Sequence, residues 1–317
     1  MRLSLILLSL ILGPILQAQE EPYFKALGGM EKERGDFWRP TISLLLPGFD
    51  QYTAGHFGSG FAYTSLFFLG REWTDSSTTR VKKFEDSVEY QTSSTDEKEN
   101  FRNHKTMYQE QSFSSQFQLV ARGISAYHSF RTSVESRRHL GQYKFLPKNL
   151  EETPVDIAMA PFEFSFLKRS TTLVPLGVIA TLSILNHGSK TEGNEKATFS
   201  SSDLGYTMGL SYNAGTNEEA IFRGWMMPFA REYTGSYFFA NLIQSSIFAA
   251  AHLNQTEVPI IQLGLGYYLG WLTERNNWSI SESIFIHAWW DVFAFAMQYS
   301  TQKETAVLML PPLSVAF

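Results

Sequence analysis

The sequence predicts an all-α protein, a polytopic bundle of transmembrane helices interrupted by one long aqueous segment, and three observations carry that expectation. Residues 170–187, 236–253, 258–273 and 283–299 are mostly apolar and aromatic, as segments meant for a bilayer are. Residues 71–112, in contrast, are dense in Ser, Thr, Asp, Glu, Lys and Arg. The 26 Phe, 14 Tyr and 7 Trp supply bulk for helix packing and for belts at the membrane surface, with Trp73, Trp271 and Trp278 near segment ends.

Composition also removes several classes of chemistry. The 317 residues contain no cysteine, which excludes disulfides, thiolate metal sites and cysteine nucleophiles together. A formal charge of −5, with Lys and Arg interleaved among acids, offers no basic block for nucleic acid. The same interleaving leaves no charge bias between loops from which to orient the chain.

In chain order, residues 1–18 read as a signal peptide or amino-terminal anchor: Met1 and Arg2, an apolar run from Leu3 to Leu16, then a small residue, Ala18. Residues 19–150 form the next unit. Its stretch 39–73 is apolar but broken by Pro47, Gly48, Gly55, Gly58 and Gly60, which predicts a helical hairpin or a kinked span. Residues 72–111 lack a sustained apolar period and read as an exposed, partly disordered loop. Residues 113–130, where Arg122 and His128 interrupt a modest apolar face, read as an interfacial amphipathic helix. The third unit, 151–317, begins with a mixed stretch and a span at 171–185, then a polar loop at 186–203. Helix candidates follow at 204–229, 236–253, 258–274 and 283–300. The final "AVLMLPPLSVAF" is too short and too rich in Pro for a span.

Three polar constellations interrupt these apolar helices. In "NEEAIFRGWMM", Glu219 and Arg223 are four apart, with acid before base, so they share a helical face and can pair. Glu218 projects roughly a hundred degrees away from that face. "FAAAH" ends in His252, and its alanines suit close helix packing. "HAWWD" places His287 and Asp291 at i and i+4, on one face of a strongly apolar helix. Ionisable side chains in such segments are costly and mark function by default. Carboxylates and two imidazoles are also what water activation requires: a base to take a proton, and groups that hold the water or an oxyanion. Neither "HExxH" nor "GxSxG" is present, and the glycines of "GLGYYLG" (264–270) miss the dinucleotide spacing and suit helix packing instead.

"EEAIFR", "FAAAH" and "HAWWD", in this order on successive helices, resemble the CaaX protease and bacteriocin-processing (Abi) family of intramembrane endopeptidases, whose pattern is EExxxR, FxxxH and HxxxN or HxxxD. The resemblance covers roughly residues 170–300. It implies a CaaX-protease-like core in the plasma (inner) membrane of a bacterium, acting on a membrane protein or peptide with the lipid bilayer as surroundings. It further implies that Glu218 acts on the attacking water, that Glu219 and Arg223 order the site, and that His252, His287 and Asp291 surround the water or oxyanion. A divalent metal such as zinc would sit on His252, His287 and Asp291. Asp291 stands where the prenyl-protein proteases of eukaryotes carry asparagine, which puts a prenylated substrate in question. A non-catalytic membrane scaffold or a bacteriocin self-immunity protein on the same fold is the alternative, and an ion-coupled transporter fits less well because no matching pair of broken helices occurs in two halves.

Overall fold

The computed structural model describes residues 35–148, 152–188, 201–253 and 259–301. The signal-like segment 1–18 and the carboxy-terminal tail lie outside these residues. Among the described residues every regular element is helical. Short helices α1 (Trp38–Leu45) and α2 (Phe49–Thr53) lead into α3 (Phe57–Glu85), α4 (Val88–Thr92), α5 (Thr95–His104) and the long α6 (Thr106–Arg137). Next come α7 (Pro154–Met159), α8 (Ser170–Gly188), α9 (Ser201–Ile221), a π turn (Phe222–Met226) and α10 (Met227–Thr234). Helices α11 (Tyr237–Ala250), α12 (Ile260–Arg275) and α13 (Ser281–Thr301) complete the set.

The amino-terminal half is more regular than its composition suggests. The breaks in 39–73 fall at Pro47–Gly48 and Gly55, whereas Gly58 and Gly60 lie inside α3. Gly48 is required: its φ is +91°, and a Cβ there would lie 2.3 Å from the Gly60 carbonyl oxygen. The loop expected at 72–111 is replaced by the second half of α3, by α4 and α5, and by the start of α6. The stretch holds no Gly or Pro to break a helix, Ser87 and Ser94 cap the short helices, and Ser94 with Glu97 forms a reciprocal capping box. A small core of Val81, Tyr90 and Tyr108, with Phe84 and Phe101 against it, supplies the burial that a loop reading left out.

The interfacial helix expected at 113–130 is also corrected, because these residues belong to α6 at the centre of the bundle. Helix α6 packs on α1, α3 and α9, and Ala126, Phe130 and Val134 are fully buried. Small residues set its approach to the site-bearing helix. A Cβ on Gly123 would lie 2.2 Å from Asn217 Oδ1, and one on Gly224 would lie 2.4 Å from a ring carbon of Tyr127.

Helix α9 packs on α6 and α13, α13 on α8, and α11 on α12 and α10. Between α9 and α13 the spacer is Gly215, where a Cβ would lie 2.9 Å from the Ala288 amide nitrogen. The amino terminus of α13 is held from two sides. The Glu152 carboxylate accepts from the Ile280 and Ser281 amides at 3.0 and 2.9 Å, a favourable place for negative charge. Glu282 is buried, which disfavours its charge, yet hydrogen bonds from Thr171, Arg169, Asn276 and Thr172 outweigh that and hold its carboxyl below the usual range.

All the expected carboxy-terminal spans are helices, but among the described residues none is long and apolar enough to cross a membrane. Helices α11 and α12 have 14 and 16 residues. At about 1.5 Å per residue they fall short of a hydrocarbon core roughly 30 Å thick. Helices α9 and α13 are longer, but their polar residues dilute them. Since a Cβ at position 215 meets backbone rather than a flexible side chain, Gly215→Ala is expected to lower stability by about 1–3 kcal/mol, read as a fall in the thermal unfolding midpoint.

Candidate active site

The three polar constellations, spread over some 70 residues of sequence, converge at one buried point. Glu218 and Glu219 come from the last turn of α9, Arg223 from the π turn, His252 from the turn after α11, and His287 and Asp291 from the middle of α13. All six side chains are at most 1% exposed.

The local sequence explains the π turn that carries Arg223. Pro228 has no amide hydrogen and its ring would crowd the carbonyl four residues back, so a continuous α-helix from 201 to 234 cannot keep its ladder there. The widened turn at Phe222–Met226 absorbs that defect and re-aims Arg223. Trp225, in the same turn, donates to the Asp36 carbonyl at 3.3 Å, which ties the turn to the first described residues of the chain.

Arg223 is then held by three contacts, although its Nε donor has no acceptor. Nη1 donates to Glu219 Oε1 at 2.8 Å, Nη2 donates to the Gly266 carbonyl at 3.1 Å, and the guanidinium lies over the Phe248 ring at 4.5 Å. The Gly266 carbonyl also accepts from Gln244 at 3.1 Å, so α11, α12 and the π turn meet at one backbone oxygen. Of the glycines in "GLGYYLG", Gly266 and Gly270 do serve close approach, the latter against Asn241, whereas a Cβ on Gly264 would meet nothing within 4 Å.

Glu219 does more than offset Arg223. Its Oε1 also accepts from His287 Nδ1 at 2.7 Å. His252 Nδ1 donates to the Phe248 carbonyl at 2.7 Å. With Nδ1 donating in both rings, an imidazole presents a lone pair at Nε2 whenever it is neutral. Both Nε2 atoms face one oxygen: Glu218 Oε2 lies 3.9 Å from that of His252 and 3.8 Å from that of His287. These separations exceed a direct hydrogen bond and match two groups that share one water. Asp291 Oδ2 lies 3.7 Å from His287 Nε2, and neither carboxylate oxygen of Asp291 nor either histidine Nε2 has a hydrogen-bond partner. His287 and Asp291 share a face, as "HAWWD" implies, but no hydrogen bond joins them; Glu219, from another helix, orients His287.

The tautomers suit a metal site, since ligating histidines ordinarily place the other ring nitrogen on a carboxylate or carbonyl. As the side chains stand, no group of three or more His, Asp or Glu among the described residues is placed to hold a metal ion.

Residues 200–293 match the family model described as type II CAAX prenyl endopeptidase, Rce1-like. This segment is CaaX-protease-like. The match supports the CaaX protease and bacteriocin-processing family and a CaaX protease-like enzyme, and it spans all six converging side chains. It covers under a third of the chain and none of α1 to α8. No curated protein and no solved structure matches the chain.

Sequence reasoning missed the π turn, the Gly266 and Phe248 carbonyls, and the bond from Glu219 to His287. Pro228, inside a helix-like run, was the available signal for the first. Removing one partner of a dry ion pair leaves the other uncompensated, so Arg223→Met alone is expected to cost about 3–5 kcal/mol. Adding Glu219→Gln, which still accepts from His287, is expected to recover much of that loss in equilibrium denaturation.

Proposed function

We propose that this protein is a membrane-embedded endopeptidase that hydrolyses a peptide bond of a membrane-associated protein or peptide with a water activated by Glu218. The observation that carries the reading is the pair of 3.8 and 3.9 Å separations from Glu218 Oε2 to the two histidine Nε2 atoms. A water held there donates one hydrogen to Glu218 and the other to the Nε2 lone pair of His252, while His287, carrying a proton on Nε2, donates to its oxygen; that oxygen attacks the scissile carbonyl carbon as the first proton passes to Glu218. Glu218 then passes the proton to the amine nitrogen as the C–N bond breaks, so no covalent enzyme intermediate forms. His287, whose Nε2 carries its proton before the attack because Glu219 and Asp291 flank the ring, is the donor available to the oxyanion. Glu219 and Arg223 position His287 without touching substrate, and Asp291 lies beside it at 3.7 Å.

Membrane placement is supported by where the apolar surface lies. Phe61 on α3, Val174 and Ile184 on α8, Phe238 on α11 and Ile260 on α12 are all more than half exposed. Large exposed apolar areas on several helices are costly against water and suit lipid. Helices this short fit a bilayer where it thins or where they lie in its interfacial layer.

A divalent metal such as zinc is a second reading, favoured by the Nε2 lone pairs. His252, His287 and Asp291 would hold it, and the steps above require none. Elemental analysis of the purified chain separates the readings: metal-assisted hydrolysis predicts close to one zinc per chain, lost in His252→Ala, whereas the water-only reading predicts substoichiometric zinc that the substitution does not change. A scaffold or self-immunity role predicts that Glu218→Gln keeps the phenotype. The hydrolytic reading predicts a loss of at least about a hundredfold in processing, seen as uncut precursors in the membrane proteome of a deletion strain complemented with Glu218→Gln. Full processing by that variant would overturn it.

A further inference from the structure

The seam between α9 and α13 carries more polarity than the six-residue site uses. Thr207, Ser211 and Glu218 fall within about 40° of one another on α9 at 100° per residue, with the small Ala214 between them. This is the face turned toward α13, because Leu210 clusters with Phe295 on one side of it and Gly215 abuts Ala288 on the other. The same antiparallel register brings Asp291 to the level of Ala214 and Ser211. Thr207, Ser211 and Asp291 are each 0% exposed.

Their polar atoms are also without protein partners: Thr207 Oγ1, Ser211 Oγ and both Asp291 carboxylate oxygens make no hydrogen bond. Hydroxyls in a helix usually avoid that cost by closing onto the carbonyl four residues back. Several in this chain do so, although the buried hydroxyls of Ser43 and Thr216 do not. Thr74, Thr181, Ser183 and Thr273 reach that carbonyl at 2.8, 2.7, 2.8 and 3.0 Å. Thr207 and Ser211 do not, and a dry, unpaired hydroxyl costs roughly 1–3 kcal/mol. Two such residues in line with Glu218, opposite an unpaired carboxylate, make a run of groups whose chemistry is satisfied by water.

We infer that the α9–α13 seam is a hydrated path, lined by Thr207, Ser211 and Asp291, that supplies water to Glu218 from the end of the bundle where α9 begins. The inference rests on the hydrolytic reading for its purpose. Each peptide bond cut consumes one water, and one side of the site is closed by the apolar ring of Phe248, packed against His252 and His287. The path is about 16 Å long, from residue 207 to residue 218 along the helix. One turn before Thr207 the buried Asp203 carboxylate accepts from Gln109 at 2.7 Å, which continues the line of polar groups along α9.

The absence of native cysteine allows a direct test on the full-length chain. Ser211→Cys and Thr207→Cys are nearly isosteric and are expected to keep the thermal unfolding midpoint of the parent. Each variant in membranes is exposed to Ag+, an ion of about the width of a water molecule, then unfolded and titrated with a maleimide for the thiols that remain free. The path predicts that both cysteines are blocked at least about tenfold faster than the cysteine of Ala126→Cys, which is buried among apolar groups. Blocking of either cysteine no faster than that control overturns the path. This readout needs no substrate, so fast blocking combined with an active Glu218→Gln variant would refute the hydrolytic reading and leave the hydrated seam standing.

Discussion

A single carboxylate oxygen, Glu219 Oε1, is the constraint on which the rest of this structure depends. It accepts from Arg223 and from His287 at once, at 2.8 and 2.7 Å, in a place no solvent reaches. A guanidinium buried that deeply is untenable unless its charge is matched. Matching it draws together the end of α9, the π turn, α12 through the Gly266 carbonyl, and α13 through His287. The fold thereby fixes the ring of His287 so that its Nε2 points at Glu218. Separate helices become one site because one charge has to be neutralised.

The remaining helices follow from the demand that α9 and α13 approach closely. Gly215 lets their backbones meet, Gly123 and Gly224 let α6 close over the other side of α9 and the π turn, and two carboxylates, Glu152 and Glu282, pin the start of α13. The amino-terminal half lies outside the family match, yet α6 is in direct contact with the helix that carries Glu218. Its place is that of a buttress rather than an appendage.

How much of this was legible in the sequence depended on the range of the interactions. The pairing of Glu219 with Arg223 is local, four residues apart on a helix, and could be read directly. The convergence of Glu218 with His252 and His287 could be inferred from the cost of ionisable groups in apolar helices, but not its geometry. That His287 and Asp291 share a face is equally local, but the carboxylate that holds the His287 ring is Glu219, 68 residues away. Periodicity carries no information about such a contact. The stretch 72–111 failed for a different reason. Its helices are held by Ser caps and by a few aromatic residues widely spaced in sequence, and a local count of polar residues outweighs both. The polarity of the inner helices, for its part, was read as a feature of spans, while the structure shows it to be what keeps them from being long apolar rods.

The account turns on whether Glu218 and the two histidines share one water. An experimental structure at a resolution that shows ordered solvent, determined in a lipid environment, tests this most directly. The account predicts one oxygen within about 3.2 Å of Glu218 Oε2 and of both Nε2 atoms. Direct bonding of Glu218 to either imidazole, with no solvent between them, would contradict it.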